Sequence, residues 1–308
     1  NWVPKPLGIA FLVILFIPIM TVSGAYTVNS SEMVGGLGIQ SEHIAFISFV
    51  TSIGMAAFSP FFYALVSVRR QKMMCLVGFS LLAVQSYICA NTDSLFILAL
   101  NSLIMGFVRQ TLLMCNLFTL IKYGFGIEAT RNVTPGNEPK DEAGWDALDT
   151  EKKASQPIIY FFFMLLGQIG TWITAWFAYN YQWQMVYYAM LGAILVALLI
   201  TLLCMPYNPY PTKHMPLSFS KFGNVVVFCL MCCSFVYVTV YGKVYDWYDS
   251  PSIRWATVIC VVSSLLFFYL EKTRRSPYFM LKAFKSRSIQ GGILLFIGLM
   301  ICNSSSML

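Results

Sequence analysis

What most constrains this chain is the length of its apolar runs. Stretches at 7–25, 43–66, 72–91, 95–121, 157–179, 185–205, 219–241 and 253–270 are almost free of charge, and another begins near Ile289. A run of about 20 apolar residues is what a helix needs to cross a hydrocarbon core about 30 Å thick. Lipid offers no partner to an exposed backbone amide, and the runs are continuous instead of alternating, so helices are expected and barrel strands are not. Composition agrees: 58% of the residues are hydrophobic and 11% charged, which excludes an ordinary soluble domain. The fold class this predicts is an all-α integral membrane protein that crosses the bilayer many times.

Lysine and arginine set the orientation. With the N-terminus in the cytoplasm, every one of the 20 falls in an inside segment except Lys243 and Arg254 outside and Arg109 within a span. The net charge of +7 then reflects topology, and no nucleic-acid partner is expected.

Two polar segments divide the chain. The first, 122–156, mixes acids, bases, Gly and Pro and reads as a cytoplasmic insertion without a core. The second, MPYNPYPTKHMP, is too rich in proline for a helix and should run extended after the sixth span. This gives six spans over 1–210, two further spans over 211–275, and a final segment, 276–308, with a cytoplasmic amphipathic stretch and the start of another span.

Metal and cofactor chemistry find no support in the residue spacing. Cys229, Cys232 and Cys233 share one apolar span, His43 and His214 fall on opposite sides, and no second pair has ligand spacing. No phosphate-cradling glycine loop or serine elbow occurs, so no cofactor, no metal and no enzymatic activity are expected.

Several motifs together resemble the major facilitator superfamily, in particular its 14-span drug:proton antiporter branch. YDWYDSPSIRW, a span, and then EKTRRSPYFMLKAFKSRS are similar to that branch's Trp-x-Trp-x-Ser-Pro loop and the basic, aromatic stretch that follows it. Trp247, Ser250, Pro251, Glu271, Arg274, Pro277, Leu281, Phe284, Lys285 and Arg287 hold the matching places. TVNSSEMVGGLGIQSE resembles the end of the first span, with Asn29 at the family's asparagine. LVSVRRQKM resembles the cytoplasmic loop between the second and third spans, carrying Arg69, Arg70 and Lys72, but Ser67 replaces the aspartate. GQIGTWITAW keeps Gly167 and Gly170 of the glycine-rich antiporter motif without its Gly-Pro step, and Trp183 stands where a tryptophan is usual. The resemblance implies a six-helix N-terminal bundle, two linker spans, and the first span of a second bundle that 276–308 would begin.

Against this background Arg109 stands out, in NSLIMGFVRQTLLMCN, with no acid within five residues on either side. The resemblance places an arginine four residues before Gly106, at Ser102. Seven residues make nearly two turns at about 100° each, so Arg109 projects from almost the same face as Ser102, about 10 Å deeper. A charge inside the membrane is costly unless paired or wet, and is read as functional by default. The open alternative is an arginine that snorkels to the cytoplasmic face. The family's first-span aspartate position falls on Gly24. Glu32 is the nearest acid, on the face of Asn29 if the helix continues that far, and a plain outer-loop carboxylate explains it as well.

Softer candidates complete the pathway. Gly167 and Gly170 permit close helix contact. Trp172 and Trp176, one turn apart, fit either an apolar cavity wall or core and lipid-interface packing. Asn116 and Gln168 are mid-span polar groups that need partners. The function this implies is a secondary transporter in a bacterial inner membrane, an antiporter of the multidrug-resistance kind. It would export a small organic or amphipathic compound against protons by alternating access. A non-transporting sensor or scaffold on the same fold is the alternative.

Overall fold

Apolar side chains in long runs leave the backbone only itself as a hydrogen-bond partner, and the chain answers with helices. A computed structural model describes residues 5–28, 30–58, 61, 71–124, 165–205, 219–273, 286–287, 289–295 and 298. Among them every regular element is helical: α1 Lys5–Val28, α2 Ser30–Leu37, α3 Ser41–Ala57, α4 Gln71–Asn91, α5 Leu95–Gly124, α6 at 165–180, α7 Trp183–Cys204, α8 Phe219–Tyr241 and α9 Pro251–Thr273. Five of these, α4, α5, α7, α8 and α9, are long and apolar enough to cross a membrane, which is compatible with an integral membrane protein. Leu7–Thr21 and Ser41–Ala57 are shorter apolar helices.

Helix ends follow local chemistry. Gly38 at φ 63° stops α2 in the left-handed conformation that glycine adopts without strain. Pro251 opens α9, where its missing N–H leaves no intrahelical bond unmade. The turn before it holds Asp246 and Trp247 at positive φ, 51° and 52°, and the Trp247 N–H donates to the Gly242 carbonyl at 2.6 Å. Gly242 lies flat under the Trp247 indole, where a Cβ would come within 2.7 Å of the ring. The aromatic loop is thus folded back onto the end of α8.

The helices form a bundle around one apolar core drawn from α1, α2, α3, α4, α5, α6 and α7. α5 is central: α1, α3 and α4 all pack on it. α7 packs on α4 and on α1. α6 reaches α1 through Gly170, whose missing Cβ would stand 3.1 Å from the Thr21 amide nitrogen. α8 runs along α3, and α9 packs on α8. Small residues set the closest crossing, between α3 and α5: a Cβ on Gly54 would collide with the Leu103 carbonyl oxygen, and one on Gly106 with that of Thr51. Backbones this close gain dispersion contacts that bulkier side chains would forbid, and such packing drives helix association in lipid.

Candidate functional site

Arg109 lies where α1, α3 and α5 meet. It is 7% exposed. Its Nε donates to the Ile19 carbonyl of α1 at 2.9 Å, one terminal nitrogen reaches the Met55 sulfur of α3 at 3.0 Å, and the other the Met20 sulfur of α1 at 3.8 Å. Among the described residues no carboxylate reaches it. A guanidinium carries five N–H donors, and among the described residues one good acceptor and two weak thioethers meet this buried cation without an anion. Residue charge and surroundings are therefore mismatched in the way that intramembrane functional sites often are.

Ser102 and Arg109, expected on one face of α5, are both buried, as is Asn116 seven residues further on, while Leu100 and Ile104 point outward. Asn116 accepts a long contact from Cys75 at 3.9 Å, and its Nδ2 has no partner among the described residues. Toward the N-terminal end of α5, Asn101 donates to the Gln85 carbonyl at 2.9 Å and to the Cys89 sulfur at 3.0 Å, pinning α5 to α4. A polar line thus runs the length of α5's buried side, and Arg109 is its one charge.

The remaining candidates scatter. Gly106 sits in the α3–α5 crossing and Gly170 against α1, but a Cβ on Gly167 would meet open space. Trp172 and Trp176 stand exposed on α6, 69% and 49%, with Trp176 in edge contact with Phe177 and Tyr181. Gln168 is exposed on the same helix. Lys72 donates to the Leu202 carbonyl at 2.8 Å. That carbonyl belongs to the last turn of α7, where carbonyls lack helical partners and the helix dipole favours a cation. Glu32 falls within α2, but its side chain lies outside the described residues, as do Asn29, Arg69 and Arg70.

Three site features escape a reading of single helices. Met20 and Met55 look like ordinary core residues until the tertiary fold turns them onto Arg109. Gly54 was visible as a small residue in SIGMAA, but its partner on α5 was not. His43 Nδ1 and the Tyr241 hydroxyl lie 2.5 Å apart across 198 residues, joining α3 to α8. Among the described residues no group of His, Cys, Asp and Glu could hold a metal ion.

The described elements make an all-helical chain whose five long apolar helices are compatible with an integral membrane protein. No family model matches it, and no curated protein matches its sequence.

Proposed function

We propose that this chain is the N-terminal part of a secondary transporter of the major facilitator kind, exporting a small organic or amphipathic compound in exchange for protons. The observation that carries the reading is Arg109: a guanidinium on α5, the helix on which α1, α3 and α4 all pack, held by a carbonyl and two thioethers, with no carboxylate among the described residues. A stably anchored structural arginine is normally satisfied by carboxylate or several carbonyls. One that waits for its anion suits a site that a substrate or a moving carboxylate visits in part of a cycle.

Helix neighbours add support. If α1, α3 and α4 form one repeat and α5, α6 and α7 its inverted copy, α3 on α5 corresponds to α6 on α1, and α4 on α5 to α7 on α1. Both members of each correspondence are found. Inverted repeats of this kind build transporter halves and allow one to rock against another around a central site. In this reading Gly54, Gly106 and Gly170 are the low-relief surfaces on which the helices pivot, and Arg109 holds α1 and α3 to α5 until an anion draws it away.

Flux measurements on the full chain in proteoliposomes decide between this and a scaffold role. With an imposed pH gradient, a panel of amphipathic organic compounds should include at least one whose release depends on the gradient and on the protein. No gradient-dependent flux across compounds of either charge would favour the scaffold.

A further inference from the structure

Arg109 sits among helices that carry no acid at its depth. α1, α3 and α5, which meet at it, hold one acid between them, Glu42 in the first turn of α3, about 20 Å along that helix from Met55. The sequence extends the point to the whole chain: none of the 13 acids falls inside an apolar run. Arg109 is likewise the one Lys or Arg deep in such a run, since Lys72, Lys221 and Arg254 stand at run ends. A guanidinium keeps its proton in a protein, so the charge stays and needs a partner.

The way it is held shows what would complete it. Nε is engaged by the Ile19 carbonyl at 2.9 Å, whereas the two terminal nitrogens meet sulfurs, Met55 at 3.0 Å and Met20 at 3.8 Å. Thioethers are weak acceptors, carried on unbranched side chains that repack readily. The neighbouring hydroxyls spend their protons elsewhere: Thr21 donates to the Pro18 carbonyl and Thr51 to that of Ile47, each at 3.0 Å. On the adjacent turns Phe16, Met105 and Leu112 are buried and apolar.

We propose that the ligand of Arg109 is the carboxylate of an amphipathic monocarboxylic acid. Its two oxygens take the places of the two sulfurs in a paired, charge-assisted contact, and the Nε bond to Ile19 stays intact. A cation is repelled there, and a neutral compound leaves the buried charge unpaired. A second carboxylate would lose its water with no second cation to meet it. One negative charge on an apolar body is therefore what the surroundings accept. Calling this ligand the exported compound rests on the transporter reading; its binding does not.

The test is thermal unfolding of the full chain in detergent, titrated with hexanoate, hexylamine or adipate, compounds of equal chain length, and read against sodium chloride at the same concentration. Hexanoate is expected to stabilise the wild type, adipate about tenfold more weakly, and hexylamine not at all. Arg109→Gln should abolish the hexanoate effect and Arg109→Lys weaken it about tenfold. Met20→Leu combined with Met55→Leu keeps the cation and removes the sulfurs that compete for it, so hexanoate should bind about threefold more tightly. That pair decides the matter should Arg109→Gln fail to fold, because unchanged or weaker binding overturns the proposal. Equal stabilisation by chloride or hexylamine, or equal binding by Arg109→Gln, overturns it too. So does a wild type indifferent to hexanoate, as expected if the protein itself supplies the anion. Binding is read without flux, so the two readings fail separately. Gradient-driven flux without carboxylate binding strikes the ligand and keeps the transporter, whereas hexanoate binding through Arg109 with no flux of any compound strikes the transporter and keeps the ligand.

Discussion

Arg109 and Gly106 lie three residues apart and show two ways in which a single position governs this fold. At Gly106 the controlling fact is space. A valine there would drive its Cβ into the Thr51 carbonyl and the Met55 amide, backbone atoms that cannot rotate away. Gly106→Val is therefore expected to lower stability in detergent by about 2–3 kcal/mol through overpacking, while Gly167→Val, where a Cβ meets open space, should change it little. Thermal or denaturant unfolding in micelles checks this, and similar losses for the two variants would mean that α3 and α5 do not cross at Gly106. At Arg109 the controlling fact is charge. Its face was legible from helical periodicity, since Ser102, Arg109 and Asn116 are buried together as seven-residue spacing requires. Its partners were not, because Ile19, Met20 and Met55 come from other helices and nothing in their own segments marks them.

Among elements, the long apolar helices were the most legible. The runs expected at 72–91 and 219–241 match α4 and α8 almost to the residue, because a segment in lipid has no competing conformation. Ends that depend on special residues were harder: α2 continues beyond the first run to Gly38, and α3 is described only to Ala57. How α8 attaches to the bundle was not legible at all, since the His43–Tyr241 contact spans 198 residues. That contact is backed by aromatic packing of Tyr241 against Phe46 at 5.7 Å and against Tyr237 at 4.7 Å. His43→Ala should leave the Phe46, Tyr237 and Tyr241 rings in place but remove the hydrogen bond, worth about 1 kcal/mol, together with the tilted His43–Tyr241 ring contact at 5.2 Å. Amide exchange near Tyr241 should then quicken about fivefold. Exchange unchanged there would leave the aromatic contacts as the whole attachment.

For the whole molecule, the distribution of Lys and Arg predicts that the segment at 122–156 and the α8–α9 turn lie on opposite sides of the membrane. Single cysteines at Lys140 and Lys243, each introduced with the nine native cysteines replaced by serine and read in intact cells with an impermeant thiol reagent, should label only at Lys243. Labelling at Lys140 alone would invert the orientation. The bundle's helix pairing could not be read from composition or periodicity, because every span is apolar on most of its circumference and so carries little record of its neighbours. Only the small residues and the buried polar line leave such a record, and they are concentrated on α3, α5 and α6.

If Arg109 is a transport residue and not an anchor, its charge and its shape should both matter, and the two can be separated. Arg109→Lys keeps the charge but loses the planar fork, and Arg109→Gln loses both. In proteoliposome flux of the full chain, with folding and insertion verified for each variant, lysine is expected to reduce the rate about tenfold and glutamine to abolish it. Normal transport by the glutamine variant would contradict the claim and leave Arg109 as a packing residue between α1, α3 and α5.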